Sequence, residues 1–161
     1  MRLNVLLAAA SLLFATMALA QTDEKPPNML GDWKCNIEHG AYYFDILTGP
    51  YAYDMTVEEQ TGPAFKGYVV WVGNREKIPD TQIDRPGQKI VKEEGSKVTI
   101  HEEFLGMIGW GPYNLHMVDM ADDGYKSGRI LREGEIEFIS ARSGEHAAVI
   151  RTRCLIDKSS N

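Results

Sequence analysis

Two cysteines, Cys35 and Cys154, lie near opposite ends of a 161-residue chain, behind an apolar N-terminal run. That run, from Val5 to Ala20, follows the positive charge of Arg2 and ends in Ala18-Leu19-Ala20, a small-x-small cleavage pattern. It is short for a membrane span, which favours a cleaved export signal over a retained anchor. No cysteine follows it directly, so neither a lipid anchor nor another stable membrane anchor is expected. Cleavage after Ala20 places the protein in the periplasm or outside the cell, where disulfides form and persist. Two cysteines allow one intramolecular pairing. The loop it closes is long, and the chain-entropy model assigns such a loop about 4–5 kcal/mol. The rival reading is two buried thiols or one reactive cysteine, but neither has the neighbouring His or Cys-x-x-Cys partner of redox chemistry.

Residues 1–20 are therefore set aside as signal. Residues 21–28, polar with a Pro26-Pro27 pair, read as a flexible leader; 29–157 form one domain and 158–161 a polar tail. The net charge is −6, one unit more acidic once Arg2 is removed. Such a chain has no electrostatic reason to bind nucleic acid or an anionic membrane surface.

Period-two alternation dominates the domain. Trp33, Cys35 and Ile37 alternate with Lys34, Asn36 and Glu38, and His39-Gly40 reads as a break. A strand-prone stretch, Ala41 to Leu47, ends at the turn signal Thr48-Gly49-Pro50. Tyr53, Met55 and Val57 share one face of the next strand, and Phe65, Gly67, Val69 and Trp71 share one face of its hairpin partner across Thr61-Gly62-Pro63. Gly73 to Gln88 reads as a long loop, a lid over one barrel end or a variable connection. Short strands follow at Lys89–Lys92, Lys97–Trp110, Tyr113–Asp119, Tyr125–Arg132, Glu135–Ala141 and His146–Ile156, with turn residues between them. Eight or nine short strands joined by Gly-containing turns predict an all-β barrel or sandwich. In an up-and-down barrel the first and last strands are neighbours, so a disulfide from Cys35 to Cys154 would pin the closing seam. The expectation is a single antiparallel up-and-down β-barrel of about eight strands, its first and last strands linked by that bond.

The opening Gly31-Asp32-Trp33 resembles the Gly-x-Trp signature of lipocalin- and avidin-type (calycin-type) barrels. The resemblance implies a Trp that closes one barrel end beneath a basic side chain from a late strand. Arg151 or Arg153 would take that part by cation–π stacking on Trp33. The Gly-x-Trp start, the run Glu59-Gln60-Thr61-Gly62-Pro63-Ala64-Phe65-Lys66-Gly67 and the turn Asp123-Gly124 are also similar to small uncharacterised bacterial exported proteins. Biotin binding does not carry over, because the hydroxyl, amide and Trp set of the avidin pocket has no counterpart here.

Trp33, Tyr53, Met55, Phe65, Trp71 and Met117 are the candidate ligand-binding residues. They also suit a solid barrel core, the common filling of small barrels. A pocket would use them differently, as apolar walls with the polar tips of Tyr53 and Trp71. His39, His101, His116 and His146 lack metal-ligand spacing, so neither a metal nor a cofactor is expected. The acidic turn of Asp119, Asp122, Asp123 and Gly124 lacks the ligand series of a calcium loop. Glu102 and Glu103 fall on opposite faces of a strand. No nucleophile elbow, phosphate loop or Ser/His/Asp pattern is present, and no catalytic residue is assigned.

The leading expectation is an exported noncatalytic barrel that binds a small apolar or amphipathic molecule. The first alternative is a periplasmic protein-binding barrel, such as a protease or lysozyme inhibitor, meeting a basic protein partner through the Gly73–Gln88 loop. The second is an isomerase- or cyclase-type enzyme working in the lumen, with His116 facing inward as general base.

Overall fold

A computed structural model describes residues 25–42, 45–78, 85–109, 114–121, 123–143 and 147–160. The expected signal segment, the loop core at 79–84, the Gly111-Pro112 turn, Asp122 and His146 lie outside the described residues. The described residues form nine strands: β1 (Gly31–Tyr42), β2 (Asp45–Thr61), β3 (Ala64–Asn74), β4 (Gln88–Glu94), β5 (Lys97–Ile108), β6 (Asn114–Asp119), β7 (Tyr125–Arg132), β8 (Glu135–Arg142) and β9 (Ala148–Ile156). Every pairing is antiparallel. Eight strands close into a ring in the order β1-β2-β3-β5-β6-β7-β8-β9, and β9 pairs back onto β1. β4 stands outside this ring. It pairs with the first half of β5, on the side that β6 takes over further along.

Closure rests on two seams. β3 runs eleven register pairs along β5, from Ala64↔Met107 to Asn74↔Lys97. At the other seam Cys35 and Cys154 are direct register partners on β1 and β9 and are disulfide-bonded, 119 residues apart in sequence. Both are buried, so the bond lies within the core. The first and last strands of the barrel are thus neighbours, joined as the spacing of the cysteines predicts.

Two expected breaks are absent. His39-Gly40 does not end the first strand, and Thr48-Gly49-Pro50 is not a turn: β1 and β2 run through both positions as one long ribbon. The register shifts between Ile37↔Tyr51 and His39↔Thr48, which leaves a bulge opposite Gly49-Pro50. A bulge frees backbone groups from the ladder, and this is where a proline without an N–H is tolerated. The expected strand at Ala41–Leu47 is therefore divided between the end of β1 and the start of β2. The loop after β3 also begins later than expected. Gly73 and Asn74 complete β3, and a short 3₁₀ turn follows at Arg75–Lys77, capped by the Asn74 side chain accepting from the Glu76 N–H at 3.0 Å.

Inward parity fills one half of the barrel solidly. Trp33, Met55, Val57, Phe65, Phe104, Leu115, Met117, Ile136 and Phe138 form a continuous buried cluster around the disulfide. Phe65 and Phe104 meet edge to face at 6.2 Å. The ring of Phe65 needs the space left by Gly106: a Cβ there would sit 2.2 Å from the ring. The chain before β1 seals this end. Met29 is buried, its carbonyl accepts from Trp33 Nε1 at 3.0 Å, and its N–H donates to Gln60 Oε1 at 2.7 Å. Gln60 Nε2 in turn donates to the Pro27 carbonyl at 2.9 Å.

Candidate functional site

The other half of the barrel is open. A cavity of about 570 Å³ lies between the upper parts of the strands, within the usual range for small-molecule sites. Alternation places its walls. Ile37 from β1, Val69 and Trp71 from β3, and Ala148 and Ile150 from β9 supply apolar surface. Tyr51 and Val72, 53% and 64% exposed, mark the rim. At the inner end the lining becomes polar: Gln88, Glu102, Lys126 and Thr152 are buried and Tyr53 is half-buried beside them.

Glu102 and Thr152 sit on strands whose neighbours on the same face are apolar. Glu102 follows Val98 and Ile100 and precedes Phe104 on the inward face of β5. It accepts from Trp71 Nε1 at 3.2 Å, across the β3–β5 seam. Asp119 continues the inward face of Leu115 and Met117 on β6 and forms an ion pair with Lys126 of β7. Both side chains of that pair are only 10% exposed, so each charge stands in for the water the other has lost. Burial pushes the Tyr53 hydroxyl well above the ordinary tyrosine value, and its hydrogen bond with Thr152 pulls against that shift. Tyr53 is therefore a neutral hydroxyl at the inner end. At the side of the cavity Arg85 Nε donates to Gln88 Oε1 at 2.9 Å, and Arg142 extends from the end of β8.

The six candidate ligand residues divide between the two halves. Trp33, Met55, Phe65 and Met117 belong to the packed cluster and do not line the cavity. Tyr53 and Trp71 line it while packing against the cluster from above. Glu102, Asp119, Lys126, Arg85 and Arg142 were not among the candidates. Alternation carries a signal for three of them. Glu102 lies two residues from Ile100 and Phe104, Asp119 two from Met117, and Lys126 four from Ile130, all on inward faces.

The expected stacking of Arg151 or Arg153 on Trp33 does not form. Trp33 points inward, whereas both arginines alternate with Thr152 and Cys154 and point outward. There they join a ladder of charges across β7, β8, β9 and β1. Arg151 pairs with Glu137 at 3.0 Å and Glu38 at 3.3 Å, Arg129 Nε donates to Glu137 at 2.6 Å, and Arg153 Nε donates to Glu135 at 2.6 Å. The Trp33 end is closed by Met29 instead. The hydrogen bond from Arg153, helped by the one from Arg132, holds the Glu135 carboxyl below its usual value, and those from Arg151 and Arg129 do the same for Glu137.

His116, which a lumenal enzyme would need inside, is on the outer face. Its Nδ1 is 2.6 Å from the Tyr125 hydroxyl. His101 also has outward parity, its ring 4.0 Å from that of Tyr68. Among the described residues, no group of three or more His, Cys, Asp or Glu side chains is arranged to hold a metal ion.

The closed eight-strand antiparallel barrel is consistent with a calycin-like fold. No protein-family model matches the sequence, and neither the curated proteins nor the solved structures include a match.

Proposed function

We propose that this protein is an exported, noncatalytic barrel that binds a small amphipathic molecule in the open half of its lumen. The observation that carries the reading is the cavity of about 570 Å³, with apolar walls and a buried polar inner end, above a filled and disulfide-pinned half. A filled half holds the strands in place, so the open half is formed before any ligand arrives, and little ordering cost opposes binding. Export supplies the oxidising compartment that the disulfide needs. The test is native mass spectrometry of the protein purified from its own host, with tryptophan-fluorescence titration of the stripped protein by decanol. A discrete added mass lost on denaturation, or saturable quenching that disappears in Trp71→Ala, is the expected result. A bare mass together with no decanol binding would overturn the reading.

A second reading, a protein-binding barrel, is favoured by one feature of the outer face. Leu105, Val118, Tyr125, Ala141 and Val149 are exposed and sit side by side in register across β5 to β9. Contiguous apolar surface of this kind suits a protein partner. Under this reading the barrel inhibits a basic lysozyme or protease, and Val118→Asp abolishes the inhibition without altering decanol binding.

A further inference from the structure

The outer face of β5 to β9 departs from ordinary alternation. A solvated sheet face carries polar side chains, and a quarter of this chain is charged. Yet the exposed row from Leu105 through Val118 and Tyr125 to Val149 holds no charged side chain. Neither does the row beside it, Met107, His116, Ser127 and Ile139. Leu105, Met107, Val118, Tyr125, Ile139 and Val149 are all exposed large side chains, and together they form one block. Aromatic, methionine and aliphatic side chains without charges are the make-up of an interface core.

The rim of this block is polarised along the strands. At one edge Glu103 and Asp123 are exposed and lie level with each other. The Met120 N–H donates to the Glu103 carbonyl at 2.9 Å, and the Asp119 N–H to the carbonyl of Gly124, next to Asp123, at 3.0 Å. At the opposite edge Arg129, Glu137 and Arg153 are register neighbours on β7, β8 and β9. The carboxylates there sit beneath their partners. The Glu137 side chain is 16% exposed against 63% for Arg129, and that of Glu135 is 3% exposed against 48% for Arg153. What this edge shows a neighbour is therefore guanidinium. A uniformly basic partner would meet the arginines, and a uniformly acidic one the two carboxylates. A second copy, turned about a two-fold axis that runs across the strands between the two rows, presents the same edges in reverse order. Asp123 of each copy then comes over Arg129 of the other, and the uncharged rows cover one another. We infer that this face is the interface of a two-fold dimer of the protein. Six large side chains are few beside the roughly 20–30 residues a side of a standard interface, so dissociation in the micromolar range is expected. The inference is independent of what the lumen holds.

Analytical ultracentrifugation of the oxidised protein, from low micromolar to near-millimolar concentration, tests it. A reversible monomer–dimer equilibrium is expected. Val118→Arg, at an exposed position within the block, is expected to stay monomeric with its urea midpoint unchanged. Asp123→Lys and Arg129→Glu are each expected to weaken dimerisation about tenfold. An equimolar mixture of these two variants is expected to recover it, because each supplies the charge that the other lacks. Val91→Arg, on the edge strand β4, is expected to dimerise as the unaltered protein does. A monomer at every concentration overturns the inference and leaves the face to a foreign partner. A dimer that persists in Val118→Arg, or a mixture no tighter than its components, also overturns it. Loss of the dimer in Val91→Arg moves the contact to β4 and overturns it as well.

Discussion

Trp71 and Glu102, 31 residues apart in sequence, meet inside the barrel, where the indole N–H donates to the carboxylate at 3.2 Å. The contact crosses the β3–β5 seam, which closes the ring, and lies where the packed half gives way to the cavity. It orients the indole so that its ring forms a wall of the site. Trp71→Phe keeps most of the wall and removes the donor. Trp71→Ala removes both. Decanol affinity measured by calorimetry is expected to fall about threefold in the first and about tenfold or more in the second, in line with ~0.8 kcal/mol per apolar carbon withdrawn from contact. Unchanged affinity in Trp71→Ala would place the ligand elsewhere.

The disulfide joins β1 to β9 across a separation of 119 residues. A loop of that length confines the unfolded chain strongly, so its loss is expected to cost about 4–5 kcal/mol of unfolding free energy. Equilibrium urea unfolding of the oxidised protein and of the Cys35→Ala/Cys154→Ala variant measures the difference. A loss under 1 kcal/mol would mean that the β1–β9 ladder closes the barrel unaided.

Glu135 and Glu137 anchor the outer charge ladder, and both are held below the ordinary glutamate value of 4.5 by their arginine partners. Unfolding returns each to that value. A depressed folded value means that the unfolded chain binds protons first as pH falls. The stabilisation is therefore complete well above pH 4.5, and it is lost as pH drops below 4.5 and through the lowered folded values. Urea midpoints from pH 7 to pH 3 are expected to decline most steeply below that point. The double variant Glu135→Gln/Glu137→Gln is expected to flatten the decline, and an equally steep profile in the variant would assign the acid sensitivity to other carboxylates.

Gly106 lies beneath the Phe65 ring, and a Cβ on it would approach ring atoms to 2.2–2.8 Å. Gly106→Ala is expected to destabilise the barrel by about 1–3 kcal/mol, since the ring must leave its place against Phe104. Phe65→Leu frees the space, so adding Gly106→Ala to it is expected to cost less than Gly106→Ala alone. A thermodynamic cycle of the four proteins measures the coupling, and strict additivity would sever the steric link.

Local pattern made much of this legible. Trp33, Cys35 and Ile37 share an inward face, as do Met55 and Val57, Phe65 and Val69, Leu115 and Met117, and Thr152 and Cys154. The turns at Gly62-Pro63, Gly95-Ser96 and Glu133-Gly134 also fall where turn chemistry places them. The bulge opposite Gly49-Pro50 was not legible, because a proline beside a glycine signals a turn unless a long partner strand carries the chain through. The outward position of Arg151 and Arg153 is legible in the alternation of β9. Their parity follows from Cys154, but the resemblance to calycin-type barrels drew them to Trp33. The site itself was half legible. The aromatic alternation points to Tyr53 and Trp71, whereas Glu102, Asp119 and Lys126 carry no such signal, because charged residues on strands are ordinarily solvated.

The sequence by itself determined which side chains face inward, where most strands turn, and that the two cysteines had one possible partner each. These are properties of a few adjacent residues, set by the two-residue period of extended backbone and by turn stereochemistry. Only the tertiary structure decided that β5 rather than β4 closes onto β3, that Met29 seals one end, and that the inward face is solid at one height and hollow at another. Those outcomes depend on how the side-chain volumes of eight strands sum around a ring. No single strand carries that sum, so the same alternation yields packed core at Phe65 and a cavity wall at Trp71.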